Sequence, residues 1–423
     1  LGVGIEYMKA TPFPLKPHQI DGLRWLLKTE CRTGHKGGLL CDDPGLGKTI
    51  QLAALMKAHP VRLTLIIVPV AVVNQWYLVM EKMFDASAIY LHTGNNRVTT
   101  QQELHIKLAT TSVVITTMGT IVRNKTSFNN NVDATLNKLK WGRVIVDEVH
   151  YIRNSKTKLF KACGALCATH KWGLTGTPIQ NSEKDLTSLL KFVGISNDTI
   201  TQVTKSSDGD KPNLQKYILR RTKKIIIDDH SIPSDYRIIN HVCGFHTDIE
   251  QRIYSKINEN VIEALSGSEP PSSFELLELI IRLRQAVIDP RITIKALRKK
   301  FAGIGSNWPQ MTGQSTKMLA LMKVIKEVKG MSLVFCHFRD EMQLIKQNLH
   351  SAGIKSHIYD GRLNTTQRHN LLELYTPKTE TIKFNGKILQ LKSTGPQVLI
   401  IQIKAGGVGL NLQGYNRIYF TSL

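Results

Sequence analysis

Through Leu174 the chain repeats one rhythm: a short apolar run, a turn, then a stretch with helical periodicity. Gly37–Cys41 predicts a strand, followed by a Gly-rich turn and a helix over Thr49–Lys57. Leu63–Val68 predicts a second strand and Val72–Phe84 a second helix. Ser112–Thr116 and Arg143–Val146 are two more apolar strands, and Trp172–Leu174 starts another. Runs of Val, Ile and Leu without polar alternation fit a parallel sheet covered on both faces. Strands alternating with helices imply a doubly wound α/β domain. Trp76 shares helical spacing with Val72, Val73 and Met80, which makes it a core side chain rather than a platform for stacking bases.

Beyond residue 182 the pattern changes to charged helical stretches, His246–Ser266 and Ser273–Val287, with a Gly/Ser/Pro-rich joint at Ser266–Ser273 and a loop at Ser206–Gly209. From Lys317 the earlier rhythm returns. Leu333–Cys336, His357–Tyr359 and Val398–Gln402 predict strands, and Arg339–Ala352 and Thr365–Leu374 predict helices. Asn385-Gly386 lies between two alternating runs, Thr381–Phe384 and Lys387–Leu391, and predicts a β-hairpin because both turn residues need positive φ. The expected organisation is an α/β fold of two doubly wound parallel-sheet lobes with a helical insertion between them. An N-terminal lobe spans 1–240 with a helical protrusion from about 182, an insertion and linker span 241–313, and a C-terminal lobe spans 314–423.

Composition adds a partner. The chain has 423 residues, 56 Lys plus Arg against 33 Asp plus Glu, a net charge of +23 and a pI near 9.7. The basic residues are spread over the chain, with clusters at Arg220–Lys224 and Lys295–Lys300, so a folded surface that meets a polyanion, nucleic acid above all, is expected. The longest apolar run, Leu65–Val73, is interrupted by Pro69 and is far short of the roughly 18 residues a membrane span needs, so no membrane partner is expected. The six cysteines form no CxxC pair and no zinc-finger spacing. Cys41 and Cys336 sit in apolar runs as core residues, and a reducing compartment is implied.

Candidate chemistry lies at the ends of two strands. Asp42-Asp43-Pro44-Gly45-Leu46-Gly47-Lys48-Thr49 comes after a strand and opens a helix, the context of a phosphate-binding loop. Backbone N–H groups at the helix start would hold phosphate oxygens. Lys48 would reach the β- and γ-phosphates of ATP, and Thr49 would ligate Mg²⁺. Two positions depart from the strict pattern: Asp42 stands where it has Gly, and Pro44 supplies no N–H. The second strand, Val144–Val146, delivers Asp147-Glu148-Val149-His150 to a C-terminal sheet edge, where ligands bind in open α/β sheets. Asp147 would hold Mg²⁺ through water, and Glu148 would orient or deprotonate the attacking water.

In order along the chain, these blocks resemble those of Swi/Snf-type DNA translocases of helicase superfamily two. The matching stretches are Leu15-Lys16-Pro17-His18-Gln19, the phosphate loop, Ile66-Ile67-Val68-Pro69 with Asn74-Gln75-Trp76, Ile115-Thr116-Thr117, and Asp147–His150. They continue with Leu174-Thr175-Gly176-Thr177-Pro178-Ile179-Gln180-Asn181, Leu333–Cys336 and Lys404–Leu412. Leu219–Lys223 and Ile281–Gln285 resemble the branch containing helicase-like transcription factor and the transcription-termination translocase.

The resemblance implies two RecA-like lobes with ATP and Mg²⁺ bound between them and duplex DNA lying across both. It implies that Gln19 contacts adenine, that Gly45, Gly47 and Gly407 belong to the nucleotide site, and that Thr116 and Thr117 meet DNA phosphates. It further implies coupling or DNA-contact roles for His150, Thr175, Thr177, Gly406 and Asn411. The activity implied is a DNA-dependent ATPase that translocates on double-stranded DNA and remodels or displaces bound proteins, a nucleosome or a polymerase. The compartment implied is a nucleus or another DNA-containing one, a virus included. A nucleotide-gated DNA clamp with little hydrolysis and an RNA helicase are the alternatives. The family carries arginines on a helix after the strand that here spans Arg417–Phe420. The chain begins at Leu1 and stops at Leu423, so a fragment that hydrolyses ATP slowly is the expectation.

Overall fold

The computed structural model describes residues 13–423 except 33, 35, 99, 124–135, 181, 206–210, 226–236, 267–271, 301–310, 312, 328–329, 376–378, 385–386, 393–397, 407–409, 411, 413–414, 416 and 423. The chain forms two compact units, Leu1–Tyr236 and Arg237–Leu423.

The first unit is built on a seven-stranded sheet of β1 (Gly37–Leu40), β2 (Thr64–Val68), β3 (Ile89–His92), β4 (Val113–Thr117), β5 (Lys140–Val146), β6 (Cys167–Leu174) and β7 (Ile218–Leu219), in the order β3-β4-β2-β5-β6-β1-β7. All its pairings are parallel. The uninterrupted apolar runs explain the layering. Every residue of β1, β2 and β4 is buried, and successive side chains enter opposite cores. Leu65 and Ile67 join one core, and Ile66 and Val68 join the other. The second core also takes Leu23 and Leu26 from α1 (Pro17–Glu30), Leu52–Met56 from α2 (Lys48–Ala58), and Trp76 and Met80 from α3 (Val73–Met83). The opposite core takes Leu104 and Leu108 from α4 (Gln101–Leu108), Ile121 from α5 (Met118–Arg123), Cys163 from α6 (Lys158–Gly164), and Leu189 and Leu190 from α7 (Glu183–Phe192). The sheet is therefore doubly wound, and Trp76 is a core residue as its spacing predicts.

Three differences from the sequence pattern have physical reasons. Strand β6 starts at Cys167, five positions before Trp172, because its first half is polar and only partly buried; its pairing with β5 makes it a strand. Strand β3 alternates half-buried and buried positions at the sheet's edge, and β7 has two residues, so neither presents an apolar run.

The second unit opens with α8 (Asp248–Ser266), α9 (Ser273–Ile288) and α10 (Pro290–Lys300), and α11 (Thr316–Lys326) comes next. The first two are tied directly to the start of α11. Buried Glu250 accepts from the N–H of Thr316 at 2.8 Å and from its hydroxyl at 2.6 Å, and Ser315 Oγ donates to Ile288 O at 2.9 Å. The region read as an insertion is thus bonded to the first helix of the C-terminal lobe. The remaining elements are β8 (Ser332–Cys336), α12 (Arg339–Ser351), β9 (Ser356–Tyr359), α13 (Thr365–Leu374), β10 (Thr379–Phe384), β11 (Lys387–Lys392), β12 (Val398–Gln402), α14 (Ile403–Gly406) and β13 (Arg417–Phe420). The second sheet is four-stranded and parallel, in the order β13-β8-β12-β9. Strands β10 and β11 pair antiparallel with Phe384 opposite Lys387, the register a two-residue turn requires; Asn385-Gly386 itself lies outside the described residues, as do Ser206–Gly209 and 267–271. Cys41 and Cys336 are buried. No helix among the described residues is long and apolar enough to cross a membrane.

Candidate nucleotide site

Because the first sheet is parallel, the C-terminal ends of β1, β6 and β5, neighbours in that order, share one edge. The turn after β1 is the phosphate loop. Gly45 and Gly47 have φ of +90° and +79°, which L side chains rarely adopt. Gly47 caps α2, and a Cβ there would lie 2.3 Å from Gln19 Nε2. Lys48 and Thr49 are the first two residues of α2, where backbone N–H groups are free to meet an anion. Lys48 Nζ donates to Asp42 O at 2.7 Å. Gln19 and His18 hold the loop from outside: Gln19 Nε2 donates to Leu46 O at 3.2 Å, and His18 Nε2 lies 3.1 Å from the same oxygen. Gln19 Oε1 also accepts from Lys16 N at 3.0 Å, so this side chain caps α1 while it braces the loop.

Both departures from the strict loop pattern have structural reasons. Asp42 is fully buried and accepts from Gln51 Nε2 at 3.1 Å and from Arg221 N and Nε at 3.1 and 3.0 Å. Arg221 pairs with it a further time through Nη2, reaches His18 O, and donates to Gln51 Oε1 at 2.8 Å. The aspartate thereby ties the base of the loop to the segment after β7. Pro44 packs on Gly176, where a Cβ would lie 2.9 Å from the proline ring. The turn after β6 can approach the loop only because residue 176 has no side chain.

Asp147 comes directly after β5, and its N–H continues the ladder to Ile67 O at 2.9 Å. Its Oδ1 accepts from Glu148 N at 2.9 Å, and its Oδ2 accepts from the indole N–H of Trp76 at 2.7 Å. Burial pushes its carboxyl up to about 6; the Trp76 bond, the Glu148 N–H and the Lys48 charge oppose this, and the Glu148 charge adds to it. The two donors are neutral, and each carboxylate oxygen keeps one lone pair. Asp147 and Thr49, the second residue of α2, offer only oxygen donors, the chemistry that suits a hard cation such as Mg²⁺.

Glu148 has φ +49° and ψ +51°, a left-handed conformation unusual outside glycine. Its Oε2 lies 3.1 Å from His150 Nδ1, and the same nitrogen lies 3.1 Å from Thr175 Oγ1. An ionised carboxylate only accepts, so Nδ1 carries the proton. The chain of bonds goes on: Thr177 N donates to Thr175 Oγ1 at 3.1 Å, Gln180 Nε2 to Thr177 Oγ1 at 3.1 Å, and Arg153 Nη1 to Gln180 Oε1 at 2.7 Å.

Residues 18–292, more than half of the chain, match the SNF2-related domain. The chain belongs to that family. An uncharacterized ATP-dependent helicase of Mycoplasma pneumoniae is 28% identical over 97% of this chain and 37% of its own length. The ATP-dependent helicase brm of Drosophila melanogaster is 26% identical over 94% of this chain and 25% of its own. The DNA repair protein rad5 of Aspergillus fumigatus is 30% identical over 61% of this chain and 25% of its own. The chain thus spans between a quarter and about two fifths of the length of these relatives.

In this SNF2-related chain Lys48, Thr49, Asp147, Glu148, His150, Thr175 and Thr177 gather at one sheet edge. Other candidates are placed differently. Thr116 is fully buried, and its hydroxyl donates to His92 O at 2.9 Å, so that side chain is not available to a DNA phosphate. The Thr117 hydroxyl lies 2.9 Å from Thr120 Oγ1 and accepts from Thr120 N at 3.3 Å, shaping the turn into α5. Gly406 is buried, and a Cβ there would meet Ile401 Cγ2 at 2.2 Å, so packing against β12 requires a glycine there. Gly407 and Asn411 lie outside the described residues. Sequence reasoning missed two residues. The Trp76 indole N–H is hidden behind its apolar spacing, and Arg221 reads as one of a basic cluster and of the block Leu219–Lys223, not as a partner of the loop. The presence of Asp42 where the loop pattern has Gly was the available signal for Arg221.

Proposed function

We propose that the chain is the ATP-hydrolysing core of a DNA-dependent translocase that moves on double-stranded DNA and remodels or displaces proteins bound there. The observation that carries this reading is the meeting of the phosphate loop and the Asp147-Glu148 pair at one sheet edge in an SNF2-related chain. Relatives named ATP-dependent helicase and DNA repair protein support ATP and DNA as ligands, and the net charge of +23 supports a polyanion.

In this reading Lys48 and the N–H groups at the start of α2 hold the ATP phosphates, and Thr49 and Asp147 hold Mg²⁺. The ion, when bound, neutralises charge on the phosphates. Glu148 accepts a hydrogen bond from the attacking water and orients it, and then takes its proton. His150 N–H holds the Glu148 carboxylate in place and links it to Thr175, so the turn after β6 senses the position of the base. Gln19, which braces the loop at Leu46, is the residue to which the resemblance gives the adenine contact. DNA binding is largely sequence-independent and steep in salt, because phosphate contacts release counterions.

The test is ATP turnover with duplex DNA, with RNA and with neither. Stimulation by duplex DNA that Glu148→Gln removes supports the proposal. Stimulation by RNA alone favours an RNA helicase, and nucleotide-dependent DNA binding without turnover favours a clamp.

A further inference from the structure

Trp76 is 1% exposed and sits in the core formed by α1, α2 and α3 against the sheet. An indole N–H in such surroundings needs an acceptor. Its acceptor is Asp147 Oδ2 at 2.7 Å, across 71 residues of sequence. The other oxygen, Oδ1, accepts from Glu148 N at 2.9 Å. The two bonds fix both the position and the rotation of the carboxylate plane, one from a rigid core ring and one from the next peptide. The oxygen lone pairs left over are thereby aimed in set directions.

We propose that Trp76 is a positioning residue for the nucleotide site: its indole N–H orients the Asp147 carboxylate for the nucleotide-bound divalent cation. This rests on the reading of Asp147 as a cation-holding group. The rival is purely structural: the carboxylate satisfies a buried indole, and the cation is indifferent to it. Partners of this kind behind a metal-ligating side chain are worth about 10–100-fold in metal affinity.

The experiment uses the full chain and a fluorescent ADP as probe, titrated with Mg²⁺. In Trp76→Phe, which keeps an aromatic ring and loses the N–H, ADP affinity without Mg²⁺ stays as in the wild type. The Mg²⁺ midpoint of the tightening rises by about 10-fold or more. In an Asp147→Asn background the same substitution changes nothing further. A Trp76→Phe midpoint within about twofold of wild type, with Asp147→Asn abolishing the Mg²⁺ response, overturns the inference and leaves the site reading standing. A normal Mg²⁺ response in Asp147→Asn overturns both. Should Trp76→Phe fail to fold, benzothienylalanine placed at position 76 has the indole's shape without the N–H donor, and the same two outcomes decide.

Discussion

Two carboxylates of the first unit, Glu30 buried and Asp147 half-buried, have opposite fates. Glu30, at the end of α1, accepts from Arg143 Nε at 2.7 Å and Nη2 at 2.6 Å, from Trp172 Nε1 at 2.7 Å, and pairs with His59 Nδ1 at 2.6 Å. All four of its lone-pair sites are filled. His59 and His170 stand close enough to form a metal-like cluster with it, but the guanidinium already occupies both oxygens. Burial raises the Glu30 carboxyl, yet the Arg143 bonds and charge, with help from His170 and His59, bring it below its ordinary value. Asp147 is half-buried, has two neutral donors, and is pushed up to about 6. A saturated carboxylate holds elements together, whereas one left short of donors and of a charge partner is poised for a cation. The contrast sets the structural Glu30 cluster apart from the carboxylate proposed to hold the cation, without reference to motifs.

The largest effect that can break the contrast is on turnover. Glu148→Gln should keep nucleotide binding and lower DNA-stimulated ATP hydrolysis roughly 10²–10⁴-fold, since it removes a general base. Glu30→Gln should leave turnover per folded molecule within a few-fold. Loss of turnover in the Glu30 variant, measured at equal folded fraction, would erase the distinction.

Stability should respond in the reverse sense. Glu30→Ala leaves the fully buried Arg143 without its carboxylate and should cost about 3–5 kcal/mol in urea unfolding. Asp147→Asn sets an amide NH2 against one of its two N–H donors and should cost less, about 1–3 kcal/mol, in the nucleotide-free chain; a loss on the Glu30 scale there would contradict the assignment.

The pH dependences have opposite signs. The lowered Glu30 carboxyl contributes stability that is present above its ordinary value of 4.5 and is lost as pH falls below that. The raised Asp147 carboxyl favours folding while it is protonated. That contribution is full below its ordinary 3.8 and is lost as pH rises through about 6. Unfolding of the wild type without Mg²⁺ or nucleotide should therefore lose on the order of 3 kcal/mol between pH 4 and 7 at this group, a pH dependence that Asp147→Asn lacks. Parallel curves would remove the physical basis of the contrast.

The smallest effect sharpens the functional edge. Arg221→Lys keeps a charge beside Asp42 and loses the fork that bonds both carboxylate oxygens. It should raise the KM for ATP a few-fold while leaving kcat at saturating ATP unchanged. A fall in kcat alone would place Arg221 in the chemistry instead of behind the loop.

The succession of strands and helices, the Gly-rich turn after β1, the carboxylate pair after β5 and the antiparallel pair flanking Asn385-Gly386 were legible in the sequence because each is local. An apolar run, a turn residue or a strand end shows within a few positions what its backbone must do. Only tertiary structure brought Trp76 to Asp147 across 71 residues, Arg143 to Glu30 across 113, and Arg221 to Asp42 across 179. It alone buried the Thr116 hydroxyl against His92 and paired the polar half of β6 with β5. Such pairings depend on which strands become neighbours, and the apolar periodicity that builds a parallel sheet is the same for every strand in it. The sequence therefore determined which groups could do chemistry, and the order β5-β6-β1 decided which of them meet.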